Sequence, residues 1–126
     1  IATLLPGTTF FLGKSEYAPY QKLKEAGVDV ALATDFNPGS CHIQSMPFIL
    51  SLSCIYLKMT VLDAIKAATF TSAKSLLLNK TIGSIEIGKK ADIIVWDIER
   101  LVQIPYLVSD HPIQTIVKSG EIVFTS

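Results

Sequence analysis

Apolar positions follow one rhythm up to Asn79 and another beyond it. Ala2 to Leu12 (ATLLPGTTFFL) is apolar and rich in Thr and Phe, with Pro6-Gly7 interrupting it. That pattern predicts a buried strand running into a loop. Tyr17 to Ala26 (YAPYQKLKEA) carries Pro19 near its front, Gly27 just past its end, and outward-facing Lys22 and Lys24. Proline pre-sets the first helical turn and glycine tolerates the left-handed stop, so this stretch predicts a helix. Val28 to Thr34 (VDVALAT) is almost continuously apolar after Asp29, which suits a parallel strand covered on both faces. Strand, helix and strand in this order make a βαβ unit.

Polar residues take over from Asp35 to Gln44 (DFNPGSCHIQ), a loop by composition. Pro47 to Lys58 resumes as an apolar helix with Ser45 placed to cap it. Thr60 and Asp63 set a capping-box-like start for a helix over Val61 to Phe70, and a further short helix reaches Leu78. After Gly83 the period shortens. Ile85 and Ile87, Ile93 to Trp96, Ile113 to Val117 and Ile122 to Phe124 are short β-type runs, and Gly120 supplies the turn of a terminal hairpin. The chain is α/β: residues 1–79 mix strands and helices, and residues 80–126 hold the strands of a small β structure.

Composition changes that picture in one respect. The 126 residues are 49% hydrophobic and only 17% charged, with 11 Lys+Arg against 11 Asp+Glu. So apolar and balanced a chain can offset its ordering entropy by burial, which excludes disorder. No basic excess exists to neutralise phosphates, so no nucleic-acid partner is expected. Average domains carry about 25% charged residues, and a small domain has proportionally more surface to cover with them. The chain, which opens on Ile1, is therefore expected to be a segment of a longer polypeptide. Its longest apolar run, Phe48 to Leu57, stops at Lys58 and is well short of the ~18–20 residues that span a bilayer. Cys41 and Cys54 lack the spacing of a zinc knuckle and are too few for a disulfide scaffold. Free thiols fit a reducing compartment, and the cytoplasm is the expected location.

Two stretches invite a chemical reading. Gly83 to Lys90 (GSIEIGKK) nearly spells a phosphate-cradling loop, but Lys90 stands where a magnesium-holding hydroxyl is needed. A helix precedes it and a strand follows, the reverse of that motif's context, so its glycines are read as turns. Asp35 is more informative. It stands where a buried strand gives way to a polar loop, the face at which parallel α/β folds bind ligands. An aspartate there could also simply cap the following turn. Asn37, Pro38, Gly39 and Ser40 add an amide, a rigid bend, open backbone and a hydroxyl, groups able to grip a small polar ligand beside a carboxylate. Of the two histidines, His42 follows this loop, and His111 lies in a Ser109-Asp110-His111-Pro112 stretch that reads as a surface turn.

VALATDFNPGSC (Val30 to Cys41) resembles the eighth barrel strand and loop of the imidazolonepropionase family, metal-dependent hydrolases of the amidohydrolase superfamily. GSIEIGKKADIIVWD (Gly83 to Asp97) is similar to the superfamily's β-sandwich pattern G-x-[IL]-x-x-G-x-x-A-D-[IL]-[VI], and VKSGEIVF (Val117 to Phe124) to its final hairpin. The likeness implies the C-terminal part of a (β/α)8 TIM-type barrel over residues 1–79, followed by part of a β-sandwich over 80–126.

It also implies a reaction. The family hydrolyses a ring C–N bond of 4-imidazolone-5-propanoate to N-formimino-L-glutamate, in histidine breakdown, using one zinc or iron ion that lowers the pKa of a water. Asp35 matches the aspartate that touches the metal or its water and relays its proton to the leaving nitrogen. Asn37 and Gly39 match positions that hold the glutamate-like portion of the ligand, and Ser40 one near the imidazolone. A small-molecule substrate and a homodimer follow from the same resemblance. The family's H-x-H pair and later metal histidines have no counterpart here, so this segment by itself is expected to bind no catalytic metal and to be inactive. Uncovered strand edges and apolar faces should make it associate. Two alternatives remain at this point: another amidohydrolase-superfamily enzyme, a deaminase or ring hydrolase, or a non-catalytic module whose apolar faces dock onto a partner chain.

Overall fold

A computed structural model describes all residues from Ile1 to Ser126. Strands β1 (Ala2–Leu4) and β2 (Val30–Leu32) pair in parallel, with Ala2 opposite Val30 and Leu4 opposite Leu32. All of β2 is buried, as its continuous apolar sequence requires. Between them run α1 (Pro6–Phe11) and α2 (Tyr20–Glu25). The predicted βαβ unit is therefore present, with one correction. Residues after Pro6 form a helix, not a loop, because proline in the first turn needs no N–H partner and already has helical φ. Gly7 makes that helix possible in this place. A Cβ there would lie 2.7 Å from Cδ1 of the fully buried Ile49.

Helix α3 (Met46–Ile55) starts as the sequence predicts, with Phe48 N donating to the Ser45 hydroxyl at 3.2 Å. Helix α4 (Val61–Lys66) is capped by Thr60, whose hydroxyl accepts from Asp63 N at 3.1 Å. The helix expected through Phe70 widens instead into a π-turn over Ala67–Thr71 and resumes as α5 (Ser72–Ser75). A reason is visible at Ser72. Its hydroxyl sits 2.7 Å from the Ala67 carbonyl and 2.8 Å from that of Leu32, tying the widened turn to β2. Leu4, Val30, Leu32, Ile49, Leu50, Leu57, Met59, Ala64 and Ala67 close one core around the strand pair.

The remainder is an antiparallel sheet in the order β3 (Ile93–Trp96), β4 (Ile113–Lys118), β5 (Glu121–Thr125). Ser119 and Gly120 turn the last hairpin with φ of +52° and +89°, the double positive φ whose twist matches the flanking strands. Ile85 and Ile87 are not strand. They lie exposed in a turn closed by a 2.8 Å Lys89–Glu86 ion pair, and the neighbouring Gly83 and Gly88 have positive φ, as the turn reading requires. A short helix, α6 (Gln103–Tyr106), was not predicted. The Gln103 side chain closes the preceding turn by accepting from the Glu99 and Arg100 amides, and Ile104 is buried in the core. No helix is long and apolar enough to cross a membrane. Every residue of β5 is exposed, Ile122, Val123 and Phe124 included.

Two glycines separate backbone strain from crowding. At Gly83 (φ +93°) a Cβ would lie 2.6 Å from Ala73 Cβ and 3.1 Å from the Thr69 carbonyl oxygen; at Gly120 it would meet nothing within 4 Å. Gly120→Ala should therefore cost only the left-handed penalty of about 1–2 kcal/mol. Gly83→Ala should cost that plus about 1–3 kcal/mol of overpacking. Urea unfolding of the complete protein carrying each substitution checks the order.

Acid has a definite sign as well. Lys24, Lys74 and Lys118 hold Asp63, Asp29 and Asp92 below the ordinary 3.8, and Lys89 holds Glu86 below 4.5. The folded state thus binds fewer protons than the unfolded one near these values. Their contribution is complete above about pH 5 and is lost as pH falls through and below 4. Unfolding midpoints measured from pH 6 to pH 3 should drop over that window.

Candidate active-site loop

The four residues singled out in the sequence lie on one segment beyond the C-terminal end of β2. Asp35 comes first, exposed and with φ +53°. Aspartate is among the few residues that enter the left-handed region at modest cost. This conformation swings the chain out of the strand direction and turns the carboxylate toward α1. There the Thr8 hydroxyl donates to Asp35 Oδ2 at 2.7 Å, while Oδ1 takes no hydrogen bond from the protein. Asp35 thus does not cap the following turn.

Asn37 does. Its Oδ1 accepts from Gly39 N at 2.9 Å and Ser40 N at 2.8 Å, and its Nδ2 donates to the Asp35 carbonyl at 2.6 Å. The Ser40 hydroxyl lies against both ends of the same amide, at 3.1 and 3.3 Å. Asn37 N donates to Cys41 O at 2.8 Å, and the fully buried Cys41 thiol reaches Thr34 O at 3.2 Å, closing the base of the loop. Asn37 therefore spends its side chain on the loop itself. Gly39 stays exposed and Ser40 half-buried at the outer bend.

Aromatic groups stand beside the loop. His42 stacks on Phe11 at 6.0 Å between ring centroids and meets the edge of Phe36 at 5.8 Å. His111 corrects its sequence reading: it is half-buried, not a surface turn residue, and its Nε2 lies 3.0 Å from the Ser45 hydroxyl that caps α3. Sequence reasoning missed Thr8. The signal was weak: a Thr pair just after Pro6-Gly7, on the helix that follows the strand paired with β2.

The implied zinc or iron ion needs three or four ligands. No three His, Cys, Asp or Glu side chains converge anywhere in this chain, and Asp35 offers one carboxylate. The residues present do not by themselves fit the ion.

The model of the amidohydrolase family matches residues 11–123. The chain belongs to the amidohydrolase family. Among the relatives of this amidohydrolase segment is the imidazolonepropionase of Alkaliphilus oremlandii, 46% identical over 123 residues, which cover 98% of this chain and 29% of that protein. The imidazolonepropionase of Bacillus thuringiensis is 41% identical over 125 residues, covering 99% and 30%. The chain thus spans about 30% of the length of the curated relatives it matches. Its fold is shared with an adenosine deaminase from Xanthomonas campestris solved with bound zinc. The TM-score is 0.84 at 24% identity, covering 98% of this chain and 31% of the deaminase.

Because one amide organises the whole bend, Asn37→Ala should free the Gly39 and Ser40 amides. Hydrogen exchange at those two positions should accelerate about tenfold, the loss expected for one or two hydrogen bonds. Amides in buried β2 should exchange at an unchanged rate.

Proposed function

We propose that this chain supplies the closing part of an imidazolonepropionase-like hydrolase, with Asp35 as its proton-transferring carboxylate. The observation that carries the reading is the state of that side chain. It stands at the C-terminal end of a buried parallel strand, with one oxygen held by Thr8 and the other open. Residues 1–79 would be the last βα units of a (β/α)8 barrel and residues 80–126 the C-terminal part of a β-sandwich. Support comes from the 46% identity to an imidazolonepropionase over nearly the whole chain and from the D-F-N-P-G string at Asp35–Gly39.

Hydrolysis of a cyclic amide needs a base for the attacking water and an acid for the leaving nitrogen. In this proposal Asp35 takes the proton as the water oxygen bonds to the ring carbonyl carbon. It then delivers a proton to the nitrogen as the C–N bond breaks, so the carboxylate is regenerated. The substrate is 4-imidazolone-5-propanoate and the product N-formimino-L-glutamate. Asn37 and Gly39 would face the propanoate end. Ser40 would lie near the ring. A zinc or iron ion would be held largely by residues outside this chain.

The same missing sequence would cover the exposed Leu77, Ile85, Ile87 and β5 side chains. By itself the segment would associate and turn nothing over. The free thiols Cys41 and Cys54 fit a cytoplasmic protein, and the complete enzyme would be a homodimer.

A deaminase is the second reading, favoured by the fold shared with adenosine deaminase. A carboxylate placed like Asp35 could serve it equally, so substrate choice separates the two. The complete protein should hydrolyse 4-imidazolone-5-propanoate and leave adenosine and guanine unchanged. Asp35→Asn should lower kcat at least ~100-fold, the scale of general acid–base catalysis. Turnover of a purine with none of the imidazolone would replace the reading with the deaminase.

A further inference from the structure

We propose that Thr8 is a positioning residue for this reaction: its hydroxyl clamps Asp35 Oδ2 and so assigns proton transfer to Oδ1. The inference rests on the reading of Asp35 given above and extends it to a residue 27 positions away.

A hydroxyl inside a helix can bond back to its own backbone. Ser53 reaches Ile49 O at 2.7 Å and Thr69 reaches Ile65 O at 2.7 Å, both four residues back. That local bond is the ordinary fate of a helical Ser or Thr. Thr8 departs from it. Its own four-back carbonyl, Leu4 O, accepts Ala33 N at 3.3 Å as the parallel pairing runs on past β2. The Thr8 hydroxyl instead donates across the strand ends to Asp35, at 2.7 Å.

Both partners are fixed from behind. Thr8 sits on α1, which Gly7 lets approach the buried Ile49 so closely that a Cβ would collide. Asp35 is fixed in the left-handed region by the Asn37 amide on its carbonyl. A β-branched side chain has few χ1 choices in a helix, so the hydroxyl is aimed at little entropic cost. A hydrogen bond to a charged carboxylate is also stronger than one between neutral groups. With Oδ2 engaged as an acceptor, Oδ1 is the oxygen open to solvent and substrate, and the bond favours one orientation of the carboxylate plane. Thr8 touches no reacting atom in this scheme; it acts through Asp35.

The test uses the complete protein with Thr8→Val, which keeps the shape and removes the hydroxyl, and Thr8→Ser, which keeps the hydroxyl. Steady-state kinetics on 4-imidazolone-5-propanoate should show kcat about tenfold lower for the valine variant, with KM unchanged, and most of the loss recovered by serine. A crystal structure of the valine variant should show the Asp35 carboxylate rotated or split between orientations. A valine variant with kcat within about twofold of wild type and Asp35 unmoved overturns the proposal. Failure of the underlying reading looks different: Asp35→Asn would then remain active, or the wild-type protein would not turn over this substrate. In that case the orientation of Asp35 in the valine variant still decides whether Thr8 holds it.

Discussion

Three residues of parallel ladder, Ala2–Leu4 against Val30–Leu32, set the position of everything else in the candidate site. Parallel pairing brings both strand ends out at the same side of the sheet. The segment leaving β1 and the segment leaving β2 therefore emerge as neighbours, although Thr8 and Asp35 are far apart in sequence. Antiparallel pairing would have put them at opposite ends. Leu4 belongs to β1, not to the helix of Thr8, and turns its carbonyl to Ala33 N, while the Thr8 hydroxyl has its acceptor on the neighbouring segment. On the other side of β2, the Ser72 hydroxyl beside Leu32 O anchors the π-turn that carries the chain from α4 to α5. A change in register of one residue would disturb all three arrangements at once.

The loop beyond β2 divides its labour between two acidic or amide side chains that sequence alone does not distinguish. Asn37 folds inward and satisfies the backbone of the bend; Asp35 is thereby released from capping duty and faces outward with one oxygen uncommitted. Such a division is economical because a loop closed by its own amide needs little packing from elsewhere. It also explains how a short, largely exposed segment can present a carboxylate in a defined direction. No three His, Cys, Asp or Glu side chains gather around it. The chain belongs to the amidohydrolase family and spans about 30% of the length of its curated relatives.

Much of this was legible in the sequence where a local rule decides the outcome. Ser45 and Thr60 cap the helices they precede, Gly120 turns the last hairpin, and the apolar run before Asp35 is a buried parallel strand. What was not legible depends on contacts between distant residues. Pro6 could end a strand before a loop or open a helix, and packing on Ile49 decides for the helix. Ile85 and Ile87 carry the alternation of a strand but find no partner strand. The widening at Ala67–Thr71 answers to a carbonyl on β2, not to its own composition. The loop's candidacy as a site was readable from position and residue type; the Thr8 contact and the inward turn of Asn37 needed the fold.

In the proposed site, Asp35 Oδ1 meets the reacting atoms while the Asn37–Ser40 bend meets the rest of the ligand. A crystal structure of the complete protein with a non-hydrolysable imidazole-propanoate analogue tests it most directly. The expected result is Oδ1 within hydrogen-bond distance of the ring substituent that mimics the attacking water, Oδ2 still on Thr8, and the propanoate beside the Asn37–Ser40 bend. An analogue bound away from this loop, or Oδ2 released to the ligand, would contradict it.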